Sequence, residues 1–503
     1  MRKSVIKATG IVFLLSLVAK IIGFIKSMVE ASFFGASIEM DAFNVTSGFV
    51  GNILYMFTTA IAVAFIPIYI QRKNDDERRK FATRTITILC LCSLVLVGVL
   101  LLTSNLIIRL IAPAFNVEQQ KLAASFFRIL VVGITFSLMA NMFTSVLNAE
   151  KRYGYSSLSS LFNSVILILF IIAFSKRLGV WSLVLAMPIS FFVQWLALYI
   201  VGHNYALISF KYGIKEENIR VLLVQAAPIL LAQATVEINQ VVDRALLSGV
   251  AVGALTAVSY SAVLFQFVTA LISMPISTVM FTELSEAGVN KEHQKIKSIL
   301  DESSKIIVLL SLPIIVITIL CSEDIVSFVY GHGKFDSIAV KQCATGLKMY
   351  IFCLLPVSIK AVLSRAYYGL NDTKHPMYMG VLEVAFNILL SVLLVKKYGI
   401  LGVVGATAVA SYVFIIVMFI DYSKRYINLI VKDTILSYWK IILSLAVMII
   451  VLLIIYPLIS LSHLFSFLLI ASVGLIIYIL LLLLMKERTI IQFLSAIKKI
   501  SHK

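Results

Sequence analysis

Residues 441–485 read IILSLAVMIIVLLIIYPLISLSHLFSFLLIASVGLIIYILLLLLM, 45 consecutive positions without an Asp, Glu, Lys or Arg. A hydrocarbon layer about 30 Å thick is crossed by about 20 apolar helical residues. The stretch is therefore two spans, near 437–458 and 464–485, cut at Pro457 and the Ser460-Leu461-Ser462 joint. The same criterion, apolar runs of about 18 residues or more bounded by charged or turn-rich joints, finds twelve more on the N-terminal side. They lie near 8–34, 42–70, 85–111, 122–148, 158–175, 180–202, 221–247, 252–282, 304–330, 340–368, 377–395 and 400–421. Composition agrees: 60% of the 503 residues are hydrophobic and 14% charged, against about 45–50% and 25% in a soluble domain. An all-α polytopic membrane protein with 14 transmembrane helices is expected. The odd set Cys90, Cys92, Cys321, Cys343 and Cys353 sits in or beside apolar runs, which excludes a secreted disulfide framework and reads as buried thiols.

Fourteen spans put both termini on one side of the membrane. That side carries 29 Lys and Arg, the other nine. Basic residues are retained in the cytoplasm, so both termini are expected there. The net charge of +18 then needs no nucleic-acid partner, and Arg72, Lys73, Arg78, Arg79, Lys80 and Arg84 read as a topology signal. Arg2, Lys3 and Lys7 precede the first span as in a signal peptide, yet the apolar stretch runs past Lys20 without a small-x-small cleavage site. It is expected to stay as the first helix. Residues 486–503 mix Ile490, Ile491, Phe493, Leu494 and Ile497 with basic residues, the pattern of a helix lying on an anionic leaflet. A solvated tail is the plainer reading.

The chain is internally duplicated. Leu147-Asn148, Lys151, Asn163, Lys176-Arg177 and Gly179 are echoed by Leu370-Asn371, Lys374, Asn387, Lys396-Lys397 and Gly399, with spacing kept to within about four residues. Parallel repeats of this kind pack as lobes with the substrate site between them. Expected are an N-terminal lobe over 1–205 (spans 1 to 6), a C-terminal lobe over 206–430 (spans 7 to 12), and a unit at 431–503 in which the last two spans line a lateral groove.

Charges inside spans mark function because burying them in lipid is expensive. Arg128 and Lys348 lie near span ends and can snorkel. Lys20 and Lys26 sit deep in the first span around Gly23, and Lys26 is four residues before Glu30, the spacing of an intrahelical pair. The structural reading is a buried ion pair; the functional one is a cationic lining for an anionic substrate, joined by Lys360 four residues after Pro356. Acidic and amide groups gather in the seventh span (Glu237, Asn239, Gln240, Asp243) and in the eleventh (Glu383 and Asn387, one turn apart). Asp243, Asn387 and Glu383 suit a Na⁺ or proton site, unless Asp243 merely pairs with Arg244. The six histidines show no metal spacing, and no other cofactor is expected. No G-x-x-x-x-G-K-[ST] loop is present, and the longest outer connection, 322–341, is too short for an exposed acid/base centre. Transport driven by an ion gradient or membrane potential is expected, and not enzymatic catalysis.

Gly35-Ala36 with Asp41-Ala42-Phe43, Phe65-Ile66-Pro67, the loop Tyr330-Gly331-His332-Gly333-Lys334-Phe335-Asp336, and Arg365-Ala366-Tyr367-Tyr368 followed by Asn371-Asp372-Thr373-Lys374-His375-Pro376 together resemble the MurJ (MviN) family of lipid II flippases, in the multidrug/oligosaccharidyl-lipid/polysaccharide exporter superfamily. The resemblance implies alternating access and transfer of undecaprenyl-pyrophosphate-linked disaccharide-pentapeptide, used in peptidoglycan biosynthesis, from the inner to the outer leaflet. It places the family's two first-span arginines on Lys20 and Lys26, keeping charge but weakening bidentate pyrophosphate recognition. The family's other cavity arginines fall near Tyr55 or Met56 and near Val263 or Leu264, all apolar here. Its outer Asp matches Asp41, and its proposed cation ligands match Asp243 and Asn387. The substrate-binding set is then Lys20, Lys26, Glu30, Asp41 and Lys360, in a monomer that contacts membrane lipids and its lipid-linked cargo. The rival cargo is a capsule, exopolysaccharide or O-antigen-type repeat unit on the same carrier.

Overall fold

The computed structural model describes residues 2–209, 217–290, 292–428, 438–459, 461–487 and 489–491. Among them every long apolar run is helical. The first half contains α1 (Arg2–Phe34), α2 (Ile38–Ile70), α3 (Asp75–Leu102), α4 (Ser104–Ile111), α5 (Val117–Ala149), α6 (Tyr153–Leu178) and α7 (Trp181–Gly202). After these come α8 (Glu217–Leu247), α9 (Ala254–Val289), α10 (His293–Leu320), α11 (Ser322–Tyr330), α12 (Ser337–Phe352) and α13 (Leu354–Gly369). The chain continues with α14 (Lys374–Tyr398), α15 (Ile400–Arg425), α16 (Trp439–Ile455) and α17 (His463–Leu484). Twelve of the described helical stretches are long and apolar enough to cross a membrane.

Local chemistry sets the helix ends. Asn116 and Gln119 form a reciprocal capping box at α5, with Gln119 N–H to Asn116 Oδ1 at 2.8 Å and Asn116 N–H to Gln119 Oε1 at 2.9 Å. Asp75, Asp76 and Glu77 open α3, and Lys176-Arg177 and Lys396-Lys397 close α6 and α14, all matched in sign to the helix dipole. The tenth run is not continuous. It breaks at Cys353, whose N–H turns back to Tyr350 O at 2.9 Å, just before Pro356, which has no N–H to offer Phe352 O in an unbroken helix and is tolerated in the first turn of α13.

Two units divide the contacts. The first comprises the chain through Thr256 together with Gly333–Asp336; the second comprises Ala257–His332 and Ser337 onward. Helix α8 thus belongs to the first unit, where it packs along α2. The first core stacks Phe65 on Phe81, with ring centroids 5.3 Å apart, among Ile86, Phe143 and Leu147. The second is built on Tyr367 and Tyr422, edge to face at 4.9 Å. In lipid, helix association comes from close packing more than from water exclusion. Gly288 of α9 accordingly lies so near the Gly369 carbonyl that a Cβ would overlap it. Helices α16 and α17 pack on α10 and α11, where Asp324 accepts from Tyr456 Oη at 2.9 Å and meets His463 Nδ1 at 2.6 Å.

The duplication is written in the backbone. Lys151 and Asn371 are non-glycine residues at φ 60°, and Gly179 and Gly399 follow at φ 56° and 54°. Arg152 N–H reaches back five residues to Leu147 O at 2.8 Å, as Asp372 N–H does to Tyr367 O at 3.0 Å, the pattern of a Schellman C-cap. These pairs set the register: Lys151 corresponds to Asn371 and Asn163 to Glu383, a few residues from the pairing expected from sequence. One expectation is corrected. Cys321, Cys343 and Cys353 are buried, but Cys92 is exposed on α3, because a membrane helix offers apolar faces to lipid as well as to a core. The amphipathic segment expected over 486–503 lies, from residue 492 on, outside the described residues.

Asp372 opens α14. Burial would raise its carboxyl, but hydrogen bonds from Tyr426 Oη at 2.6 Å, from His375 N–H at 3.2 Å and from the His375 ring at 2.6 Å outweigh that and hold it below its ordinary value of 3.8. A lowered carboxylate contributes stability above its unfolded value, and that contribution is lost as pH falls through the folded one. Thermal melts of wild type and Asp372→Ala should therefore differ most at neutral pH and converge below about pH 4; a constant gap would contradict this.

Candidate functional site

Three polar groups interrupt the apolar helices, each within one unit. On α1, Lys26 Nζ lies 3.3 Å from Glu30 Oε1, with side chains 29% and 9% exposed. The i,i+4 spacing brings them together as expected, and Glu30 depends on Lys26 for its countercharge. Lys20 is exposed and has no ion-pair partner among the described residues. Six residues apart, the two lysines are offset by about 9 Å along the helix and lie on either side of Gly23, which faces Ser164 of α6.

The second group joins α13, α14 and α15. Lys360 Nζ donates to Glu383 Oε2 at 2.7 Å, and Ser411 Oγ donates to Glu383 Oε1 at 3.3 Å. One turn along α14, buried Asn387 donates to Thr407 Oγ1 at 3.2 Å and accepts from Ser391 Oγ at 3.1 Å. Sequence reasoning put Lys360 with the substrate and Glu383 with a cation. The structure makes them one ion pair, which side-chain identity and spacing alone could not reveal across 23 residues.

The third group runs along α8. Asn239 Nδ2 donates to Asp243 Oδ2 at 3.3 Å, Gln240 Nε2 to Glu237 Oε2 at 3.3 Å, and Arg244 Nη2 to Gln240 Oε1 at 3.4 Å. Arg244 lies against Gly48 of α2, whose absent side chain makes room for the guanidinium. Asp243 belongs to the first unit, Glu383 and Asn387 to the second. Among the described residues no group of three His, Cys, Asp or Glu could hold a metal ion.

Asp41, expected to meet substrate, spends both oxygens on the start of α9. Oδ2 accepts from Gly253 N–H at 2.6 Å, and Oδ1 accepts from Thr256 N–H at 2.9 Å and Thr256 Oγ1 at 2.6 Å. The Gly333-Lys334 motif is likewise a turn, with Lys334 N–H donating to Ser32 O at 2.9 Å. Arg128 donates Nε to Ser104 Oγ at 3.0 Å, tying α5 to α4. Of the apolar positions where the resemblance implied cavity arginines, Tyr55 is 56% exposed and Leu264 is buried. Glu237 lies among Ala234, Ile238 and Val241 at helical spacing, a stripe that the structure sets against Phe49, Asn52, Ile53 and Met56 of α2.

A family model described as "Lipid II flippase MurJ" matches residues 30–480, a range that begins just after Lys20 and Lys26. A Thermotoga maritima protein named "Probable lipid II flippase MurJ" is 28% identical over 401 residues, 79% of this chain and 82% of the relative. One of the same name from Borreliella burgdorferi is 25% identical over 424 residues, 83% of each. Among solved structures, "Lipid II flippase MurJ, inward closed conformation" superposes with TM-score 0.82 at 23% identity, covering 93% of this chain and 97% of that one. An inward-facing multidrug resistance MATE family transporter of the MOP superfamily follows at TM-score 0.70 and 14% identity, covering 82% and 95%. These structural likenesses establish a shared fold.

Proposed function

The chain belongs to the MurJ lipid II flippase family, and on that premise we propose that it moves undecaprenyl-pyrophosphate-linked disaccharide-pentapeptide from the inner to the outer leaflet of the bacterial cell membrane. The match across residues 30–480 carries this reading. We further read α1 and α8, helices of 33 and 31 residues, as spans that complete the twelve to fourteen, with both termini cytoplasmic and transport by alternating access. The chain works as a monomer.

Lys20 and Lys26 hold the pyrophosphate. What supports this is an exposed ammonium at Lys20 without an ion-pair partner among the described residues, six residues along α1 from a second cation already fixed by Glu30. Neutralising two negative charges lowers the barrier to carrying the headgroup through a medium that repels ions. Lys360 contributes less, since Glu383 balances it. The amide and hydroxyl oxygens around Asn387, with Glu383 and Asp243, are the groups that would answer to Na⁺ or protons during the cycle.

The test is reconstitution. Purified protein in liposomes should expose labelled lipid II to an outside reagent, and Lys20→Glu should slow this at least about tenfold, because one repulsive contact replaces one charge-assisted contact. Liposomes with protein that flip no faster than protein-free ones would end the flippase reading. Unchanged flipping by Lys20→Glu would end only the residue's role.

A further inference from the structure

Each half of the duplication sets a short helix after a long one. Helix α4 follows α3 at Thr103 and α11 follows α10 at Cys321, and each joint residue donates its N–H four residues back at 2.9 Å. Counting from the joints sets Asn105 opposite Glu323 and Leu106 opposite Asp324. The two surfaces differ in what covers them. Asp324 is 8% exposed, and Tyr456 and His463 of the α16–α17 hairpin bond to it. Leu106 is 58% exposed, with Leu110 one turn on at 68% and Leu102 just before the joint at 89%.

Two guanidiniums stand beside these leucines. Arg128 of α5 is exposed yet held in place, since Nε donates to Ser104 Oγ at 3.0 Å and Nη2 to Asn105 Oδ1 at 3.2 Å. Arg109 is exposed one turn beyond Asn105, on the same face of α4. Neither arginine forms an ion pair among the described residues. Asn105 accepts a hydrogen bond but carries no charge, where the other repeat has Glu323. On the orientation proposed above, these cations lie on the side with nine Lys and Arg against 29. Cytoplasmic retention of basic residues therefore does not account for them.

The chemistry of this face selects its occupant. A guanidinium matches the oxygens of a phosphate group, and a second one nearby strengthens the match. A free anion would leave the leucines uncovered. A partner helix would have to bring a carboxylate into the membrane, which is expensive. One molecule with a phosphate and long apolar chains meets both demands, and it does so best when its headgroup carries no ammonium to compete for that phosphate.

We propose that the α4–α5 face of the first unit binds an anionic phospholipid, with Arg109 and Arg128 on its phosphate and its chains along Leu102, Leu106 and Leu110. The lipid takes the place that the α16–α17 hairpin holds on α11 in the other repeat. The site is independent of the cargo.

Photo-crosslinking of the purified full chain in nanodiscs tests this, because it reads the site by position. Phosphatidylglycerol and phosphatidylcholine bearing the same photoreactive chain are supplied at equal dose, and the labelled peptides are mapped by mass spectrometry. In wild type, phosphatidylglycerol should label 102–110 about tenfold more than phosphatidylcholine, the scale of one charge-assisted contact. The exposed surface of α14 at Leu389, Val392 and Leu393 should be labelled equally by both. Arg109→Gln with Arg128→Gln should remove the preference at α4. Leu106→Asp, which keeps both arginines and supplies the carboxylate found at the matching position of α11, should remove it too and decides the matter if the double variant does not fold. Equal labelling of 102–110 in wild type overturns the site, as does a preference that survives these variants or appears at the same size on α14. Loss of the preference in excess inorganic phosphate refutes a lipid as the occupant.

Discussion

Lys26→Ala is expected to lose both thermal stability and lipid II flipping, whereas Lys26→Ala with Glu30→Ala recovers the stability and not the flipping. The reasoning starts from burial. Glu30 is 9% exposed and its countercharge is Lys26 at 3.3 Å. Removing one member of such a pair strands the other, at a cost of about 3 kcal/mol. Removing both leaves two methyl groups on a membrane helix, which is close to neutral in stability. If the pair serves only the fold, the double variant should transport as wild type does. If the ammonium also meets pyrophosphate, the double variant folds with its transport still missing. Melting temperature and flipping rate, measured on wild type, Lys26→Ala and the double variant, separate these cases. Lys26→Arg adds a check: it should flip at least as well, because a guanidinium can engage two phosphate oxygens at once. Wild-type flipping by the double variant would remove Lys26 from the binding set.

Helices were legible in the sequence because a bilayer imposes length and apolarity together, and few other constraints write so plainly. The repeat was legible as well, though its register was not. Identities suggested that Asn163 matches Asn387, whereas the left-handed backbone at Lys151 and Asn371 and at Gly179 and Gly399 sets Asn163 opposite Glu383. The local pair Lys26 and Glu30 followed from helix geometry. The distant pair Lys360 and Glu383 did not, since two helices must pack before these side chains can meet. Asp41 misled for a related reason. A carboxylate at a span end reads equally as a ligand for cargo or as a cap for another helix, and only the position of α9, more than 200 residues along the chain, separates the two.

The glycine that accepts this cap should be highly sensitive to a single added methyl. Gly253 sits at φ +77°, a region that costs an L-residue about 1–3 kcal/mol. It also donates its N–H to Asp41 Oδ2 at 2.6 Å, and a Cβ there would overlap the carbonyl oxygen of Ala36. Backbone cannot yield as a flexible side chain would, so Gly253→Ala must move the α8–α9 connection away from Ala36. That motion loosens the three hydrogen bonds holding Asp41 to Gly253 and Thr256, each to a charged acceptor and worth about 1.5–3 kcal/mol. Backbone strain and loosened caps together should exceed about 3 kcal/mol. Gly179 provides the control, because it too has positive φ, at +56°, yet a Cβ there would meet nothing within 4 Å. Gly179→Ala therefore bears the strain without the collision. Thermal unfolding in detergent should place Gly253→Ala well below Gly179→Ala, with Asp41→Asn between wild type and Gly253→Ala because its single amide oxygen can still accept from Thr256 while only the bond from Gly253 is lost. If the two glycine variants melt together, the crowding at Ala36 contributes nothing and backbone strain alone accounts for both.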